Sequence, residues 1–147
     1  MQMQVTTGRY HTLLVHNSSV YSCGSNLCGV LGHGQDTTQC AAFSRINFPS
    51  LSHVIHISAS HNHAAFITLS GEVIVFTCGD NSSFCCGHGE VGRTIFKPSR
   101  IEALKGIPCK QVYLHHHSKC TNVLPNEYVV VHTPHFQHRE ISCIIVS

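Results

Sequence analysis

Apolar residues in this chain come in short bursts, not in long amphipathic stretches. Segments 12–15, 20–23, 54–58, 64–69 and 72–78 are rich in β-branched, aromatic or small apolar side chains. Each is of strand length. Asn17-Ser18-Ser19 and Ser70-Gly71 stand between successive bursts where a hairpin would turn. No stretch sustains a 3.6-residue apolar period over several turns. The pattern predicts an all-β chain built from hairpins.

The bursts are organised by a repeat. Residues 23–34 read CGSNLCGVLGHG and residues 78–89 read CGDNSSFCCGHG, in register at a constant offset of 55. Cys23/Cys78, Gly24/Gly79, Asn26/Asn81, Gly32/Gly87, His33/His88 and Gly34/Gly89 are identical pairs. Arg45-Ile46 matches Arg100-Ile101 at the same offset. Upstream, His11-Thr12 aligns with His63-Ala64 at an offset of 52, so the second copy carries extra residues around 71–76. Two of them, Ile74-Val75, are expected inside a strand, where an even insertion keeps the alternation of faces but shifts the strand against its partner. Self-similarity near 50 residues, with several short strands per copy, points to propeller blades and away from a helical solenoid. Gly24 and Gly79 follow a strand ending in cysteine, where glycine permits a positive φ or a close backbone approach. GVLGHG lacks the GxxxxGK[ST] pattern and a following helix, which argues against a phosphate-cradling loop.

Gly8-x-x-His11-Thr12, then VYSCGSN, then GVLGHG, then an apolar segment ending in Arg-Ile, resembles the regulator of chromosome condensation repeat. SASHNHAA and FTCGDNSSFCCGHG are similar to plant members of that family in particular. The resemblance covers residues 5–112. It implies a β-propeller, and with two copies present the expected fold is an incomplete propeller of about two to three blades built from tandem repeats. Repeat 1 is expected over 5–51, repeat 2 over 52–106, and the start of a third repeat over 107–112. Residues 113–147 form a non-repeat tail, expected to be poorly packed, with strand-like segments 128–131 and 141–146 able to pair with an open blade edge. No glycine follows Gly106. The family's usual tryptophan before the glycine is Cys23 in one copy and Cys78 in the other; both are expected as buried thiols at matching sites. Phe84 stands where Gly29 stands, and Ser60 where Gly8 stands.

Composition narrows the function. Charged residues make up 11% of the 147, against roughly 25% in an average soluble protein. Net charge is +2 and the 9 basic residues are scattered, which argues against a phosphate-tracking surface. The N-terminus has no apolar stretch of signal-peptide type, and no apolar run approaches membrane-spanning length. A cytoplasmic or nuclear location is expected, where the 9 cysteines stay reduced and act mainly as small buried apolar residues.

The repeated histidines His11, His33, His63 and His88 are read as structural, because a recurring residue is best explained by a recurring hydrogen bond. Cys85-Cys86 with His88 is too tight for a zinc framework. Cys109, His115, His116, His117 and Cys120 match no standard ligand spacing; no metal and no cofactor is expected. No nucleophile–base–orienter grouping is recognisable, so the chain is expected not to be an enzyme. The resemblance implies a protein-interaction module of unknown partner, from a fragment of a propeller. Guanine-nucleotide exchange on a small Ran-type GTPase is the alternative, and a truncated product without independent function is another. Light sensing by a tryptophan cluster, known in the same fold, is excluded by the absence of tryptophan.

Overall fold

The computed structural model describes residues 3–48, 53–69, 73–81, 86–88, 94–105, 112–114, 129–131 and 144–146. Blade 1 contains β1 (Gln4–Thr7), β2 (His11–His16), β3 (Ser19–Ser25) and β4 (Gln39–Arg45), antiparallel and in chain order. Blade 2 repeats the arrangement with β5 (His53–Ala59), β6 (His63–Leu69), β7 (Val73–Asp80) and β8 (Thr94–Arg100). A short 3-10 turn covers Glu102–Leu104. The described chain is thus an all-β partial propeller. Strands β2, β3, β5, β6 and β7 fall on the five apolar bursts. Strands β1, β4 and β8 do not stand out in the sequence.

The β2–β3 hairpin turns on Asn17 and Ser18, at φ 49° and 60°. Two successive left-handed residues give the primed turn whose twist suits a hairpin. The second hairpin corrects one expectation. Ile74 and Val75 do not shift β7 against β6, because pairing runs unbroken from Leu69↔Val73 to His63↔Gly79. The first hairpin pairs from His16↔Ser19 to His11↔Gly24. The extra length is therefore one added cross-strand pair, with the one remaining extra residue among 70–72. Ser70-Gly71 itself lies outside the described residues.

Each blade has two faces, and the core lies between the blades. Leu13, Val15, Val20 and Ile46 of blade 1 pack against Val54, Ile57, Ala64, Phe66, Ile74, Phe76 and Cys78 of blade 2. Phe48, on the connection between blades, meets Phe66 and Phe76 edge-on at 5.2 and 5.5 Å, the geometry the ring quadrupoles favour. Gln4 adds polar stitching across the blades: its Nε2 donates to Ile55 O and its Oε1 accepts from Ile57 N–H.

Three further strands, β9 (Val112–Leu114), β10 (Val129–Val131) and β11 (Ile144–Val146), form an antiparallel sheet in the order β10-β11-β9. The strand-like tail segments pair with each other and with β9; neither joins an edge of a four-stranded blade. β9 lies against β5 and β6. It also spans the expected boundary between the third-repeat start and the tail.

Candidate functional site: the recurrent loop and its dock on the next blade

The repeated motif builds one local structure twice. After Ser22 in β3 and Thr77 in β7 the pairing with the outer strand breaks register. Gly24 and Gly79 sit in that break at φ 112° and 114°. A Cβ on Gly79 would collide with the Asn62 carbonyl and lie 2.6 Å from His63 Cα; on Gly24 it would collide with the Tyr10 carbonyl. The glycines are required because two strands approach without room for a side chain. The close approach is fixed by Ser25 N–H donating to Tyr10 O and Asp80 N–H donating to Asn62 O, both at 2.8 Å.

Two residues later a buried asparagine organises the loop. Asn26 Oδ1 accepts from Leu31 N–H at 2.9 Å, and Asn81 Oδ1 accepts from Cys86 N–H at 3.0 Å. Asn26 Nδ2 also donates to the carbonyls of Gly34 and Thr37. One side chain thereby closes a loop that would otherwise bury unpaired backbone groups.

His33 and His88 close the same loops from the other side. Ser22 Oγ lies 2.9 Å from His33 Nε2 and donates to Leu31 O at 2.8 Å. Thr77 Oγ1 lies 2.8 Å from His88 Nε2 and donates to Cys86 O at 2.6 Å. A hydroxyl next to an imidazole is the beginning of a nucleophile–base pair. Here each hydroxyl proton already points at a carbonyl, so the imidazole Nε2–H must donate to the hydroxyl oxygen. The histidine is then no base toward that hydroxyl. Ser22 and Thr77 are also fully buried. Burial lowers the His33 pKa. The hydroxyl partners recur at the offset of 55, yet Ser against Thr is not an identity, and this hid them in the motif comparison.

His11 and His63 occupy equivalent buried positions at the starts of β2 and β6. Burial pushes the His11 pKa down to about 4. Gly8 leaves room for the His11 ring, which a Cβ at residue 8 would strike. Ser60, its counterpart, repeats the backbone bond: Gly8 N–H donates to His11 O and Ser60 N–H to His63 O, both at 2.9 Å.

The first loop docks on blade 2. Gly34 N–H donates to Phe96 O at 3.1 Å. A Cβ on Gly32 would meet Pro98 at 3.4 Å, and one on Gly29 would meet Thr94 at 2.7 Å. Val30 O lies 3.6 Å from Cys78 Sγ. Cys78 is sealed by this contact, and burial pushes its thiol up to about 12. Cys23 departs from expectation: it is only half-buried, because no loop of the described chain covers it as Val30 covers Cys78. Gly87 has the same φ of 74° as Gly32. Gly89, Phe84 and Cys85 lie outside the described residues, as do Cys109, His115, His116, His117 and Cys120. No group of three His, Cys, Asp or Glu able to hold a metal occurs among the described residues.

The same end of the blades carries the exposed apolar tips. Tyr10 is 59% and Leu27 81% exposed, and the Arg9 guanidinium sits 5.1 Å from the Tyr10 ring centroid.

A two-blade arrangement with this loop has direct counterparts in known proteins. The profile of the regulator of chromosome condensation (RCC1) repeat matches residues 17–67 and 74–118. The chain belongs to the RCC1 repeat family. It is 31% identical over 109 residues to the human probable E3 ubiquitin-protein ligase HERC6, covering 74% of this chain and 10% of that protein. It is 30% identical over 96 residues to the inhibitor of Bruton tyrosine kinase of Xenopus laevis, covering 65% of this chain and 7% of that protein. Among solved structures, human WBSCR16 superposes with a TM-score of 0.64 at 21% identity, over 76% of this chain and 28% of that one. Prp20p of Saccharomyces cerevisiae superposes with a TM-score of 0.60 at 19% identity, over 75% of this chain and 28% of that one. The RCC1-type chain therefore spans about a tenth or less of these sequence relatives and about a quarter of these structural ones. No helix among the described residues is long and apolar enough to cross a membrane.

Proposed function

We propose that this RCC1-repeat chain is a non-enzymatic protein-interaction module. The observation that carries this reading is the exposed tip set of Arg9, Tyr10 and Leu27 on a loop end held by the Asn26 and Gly24 hydrogen bonds. A rigid scaffold presenting an aromatic, a cation and an aliphatic side chain is suited to a binding hot spot. The recurrence of each hydroxyl–histidine pair supports a structural role for the repeat positions. The module is a piece of a propeller, with repeat units over 5–51 and 52–106, a short third start over 107–112 and a tail over 113–147. It works in the cytoplasm or nucleus.

Proximity labelling in cells tests this reading. The wild-type chain should mark a reproducible partner set that the Tyr10→Ala/Leu27→Ala double variant loses. An unchanged set would place the contact elsewhere.

The alternative is guanine-nucleotide exchange on a small Ran-type GTPase. It is favoured by the likeness to Prp20p, a structure described together with binding to Gsp1p and histones. Nucleotide release from a Ran-type GTPase should not accelerate when the chain is added. Concentration-dependent acceleration would favour exchange.

A further inference from the structure

The outer strand of each blade ends in an arginine that an isoleucine follows. Arg45 stands opposite Tyr21, and Arg100 opposite Phe76. Ile46 N–H then donates to Val20 O and Ile101 N–H to Val75 O, at 2.8 and 2.9 Å. The next residue differs. In blade 2 it is Glu102, whose carboxylate lies 3.6 Å from Arg100 Nε. In blade 1 it is Asn47, and among the described residues Arg45 has no ion-pair partner. Arg45 borders a cavity of about 480 Å³ between the blades. The cavity lies at the β2–β3 turn and the connection into β5, at the end of the blades opposite Tyr10 and Leu27. Val20, Ile46 and Val54 give it a buried apolar wall. Ser18 O accepts from Val54 N–H at 3.1 Å, so the turn of blade 1 is tied to blade 2 and both walls belong to blades the chain contains. Arg45 and His53 are its basic residues, and no carboxylate lines it among the described residues.

We propose that this cleft takes an acidic side chain of a protein partner, with the partner's carboxylate on Arg45 in the place that Glu102 takes on Arg100. This rests on the reading of the chain as a protein-interaction module, and gives that module a second contact at the other end of the blades. The cleft carries positive charge with no acid to neutralise it, and a guanidinium fork matches the geometry of a carboxylate. An exposed ion pair alone stabilises little. Here an apolar residue next to the partner's acid lies on Val20, Ile46 and Val54. It excludes water from the pair, and charges attract more strongly where water is excluded. The cavity volume falls within the roughly 300–1,000 Å³ of ligand sites.

Titration of the isotope-labelled full chain with a blocked leucine-glutamate-leucine peptide, followed by NMR, tests the proposal. The expected result is saturable shifts of Arg45 Nε–H and of the Asn47 and Val54 amides. The same peptide with glutamine for glutamate should bind several-fold more weakly, and Arg45→Gln should remove that preference. Asn47→Glu restores in blade 1 the spacing of Arg100 and Glu102, and should block the cleft from within. Both positions are exposed, so unchanged amide shifts elsewhere report an intact fold. Equal binding of the two peptides would overturn the proposal. So would an absence of shifts at these sites up to millimolar peptide, or undiminished binding to Asn47→Glu. These outcomes concern the cleft alone, whereas the module reading is decided by the partner set that Tyr10→Ala/Leu27→Ala loses.

Discussion

Cys78 and Cys23 hold the same repeat position, but only Cys78 lies under a neighbouring loop, with its Sγ 3.6 Å from the Val30 carbonyl oxygen. Burial raises its thiol pKa to about 12, and the thiolate is the reactive form. In dilute native protein at mildly alkaline pH, Cys23 should react with iodoacetamide while Cys78 stays unmodified. Peptide mapping checks this. Equal rates at the two sites would show that the loop does not seal Cys78.

Gly79 should be hard to replace. Its φ is 114°, and a Cβ would meet Asn62 O and His63 Cα. Left-handed backbone alone costs a residue other than glycine about 1–2 kcal/mol, and the overlap adds to it. Gly79→Ala should therefore lower unfolding free energy by more than about 2 kcal/mol. Gly34→Ala also has a positive φ of 98°, but its close neighbour is the flexible end of Lys97. It should cost less. Denaturant unfolding of the two variants gives the ranking.

Asn26→Ala removes the acceptor of Leu31 N–H and the donor to Gly34 O and Thr37 O. An unsatisfied buried group costs about 1–3 kcal/mol, so the variant should lose at least about 2 kcal/mol. Amide exchange at Leu31 should accelerate with it.

These positions show how much was legible. The glycines, Asn26/Asn81 and His33/His88 stand out because one local geometry demands the same residue twice. Strand β8 did not, since Pro98 reads as a strand breaker; it is tolerated because it falls in the register break between Ser99 and Ile95. Strand β4 was hidden for a related reason: Gln39, Ala41, Ala42 and Phe43 are all exposed, so no alternation marks it. The added pair in the second hairpin was visible as an offset change, but identity alone does not distinguish an insertion within a strand from a lengthened hairpin. The half-exposure of Cys23 depends on a neighbour, which the repeat pattern does not carry.

Stability should fall with acid before the carboxylates titrate. His11 has a folded pKa of about 4, set by burial, against about 6.5 unfolded. Between those values the unfolded chain binds the extra proton, so stability present above pH ~6.5 is lost as pH falls toward ~4. The shift corresponds to a loss on the order of 3 kcal/mol. His33 and His56, also lowered by burial, add in the same direction. Thermal melts between about pH 7 and about pH 4 should show this decline. His11→Asn should flatten the profile. An unchanged slope would remove His11 as its cause.

The tail gives the last test. β9 contacts β5 and β6 and pairs with β11, which pairs with β10. Ala65, Ile67 and Val75, on the face of blade 2 turned away from blade 1, are buried. Removing residues 115–147 deletes β10 and β11 and leaves β9 as an unsupported strand of three residues. Short strands without partners are unstable in water, so the cover over blade 2 should loosen. The truncated chain should lose more than the roughly 0.5 kcal/mol typical of surface changes, and bind more of a hydrophobic dye than the full chain does. Equal stability and no gain in dye binding would mean that the third sheet contributes nothing to the fold, and that a poorly packed tail is the better description.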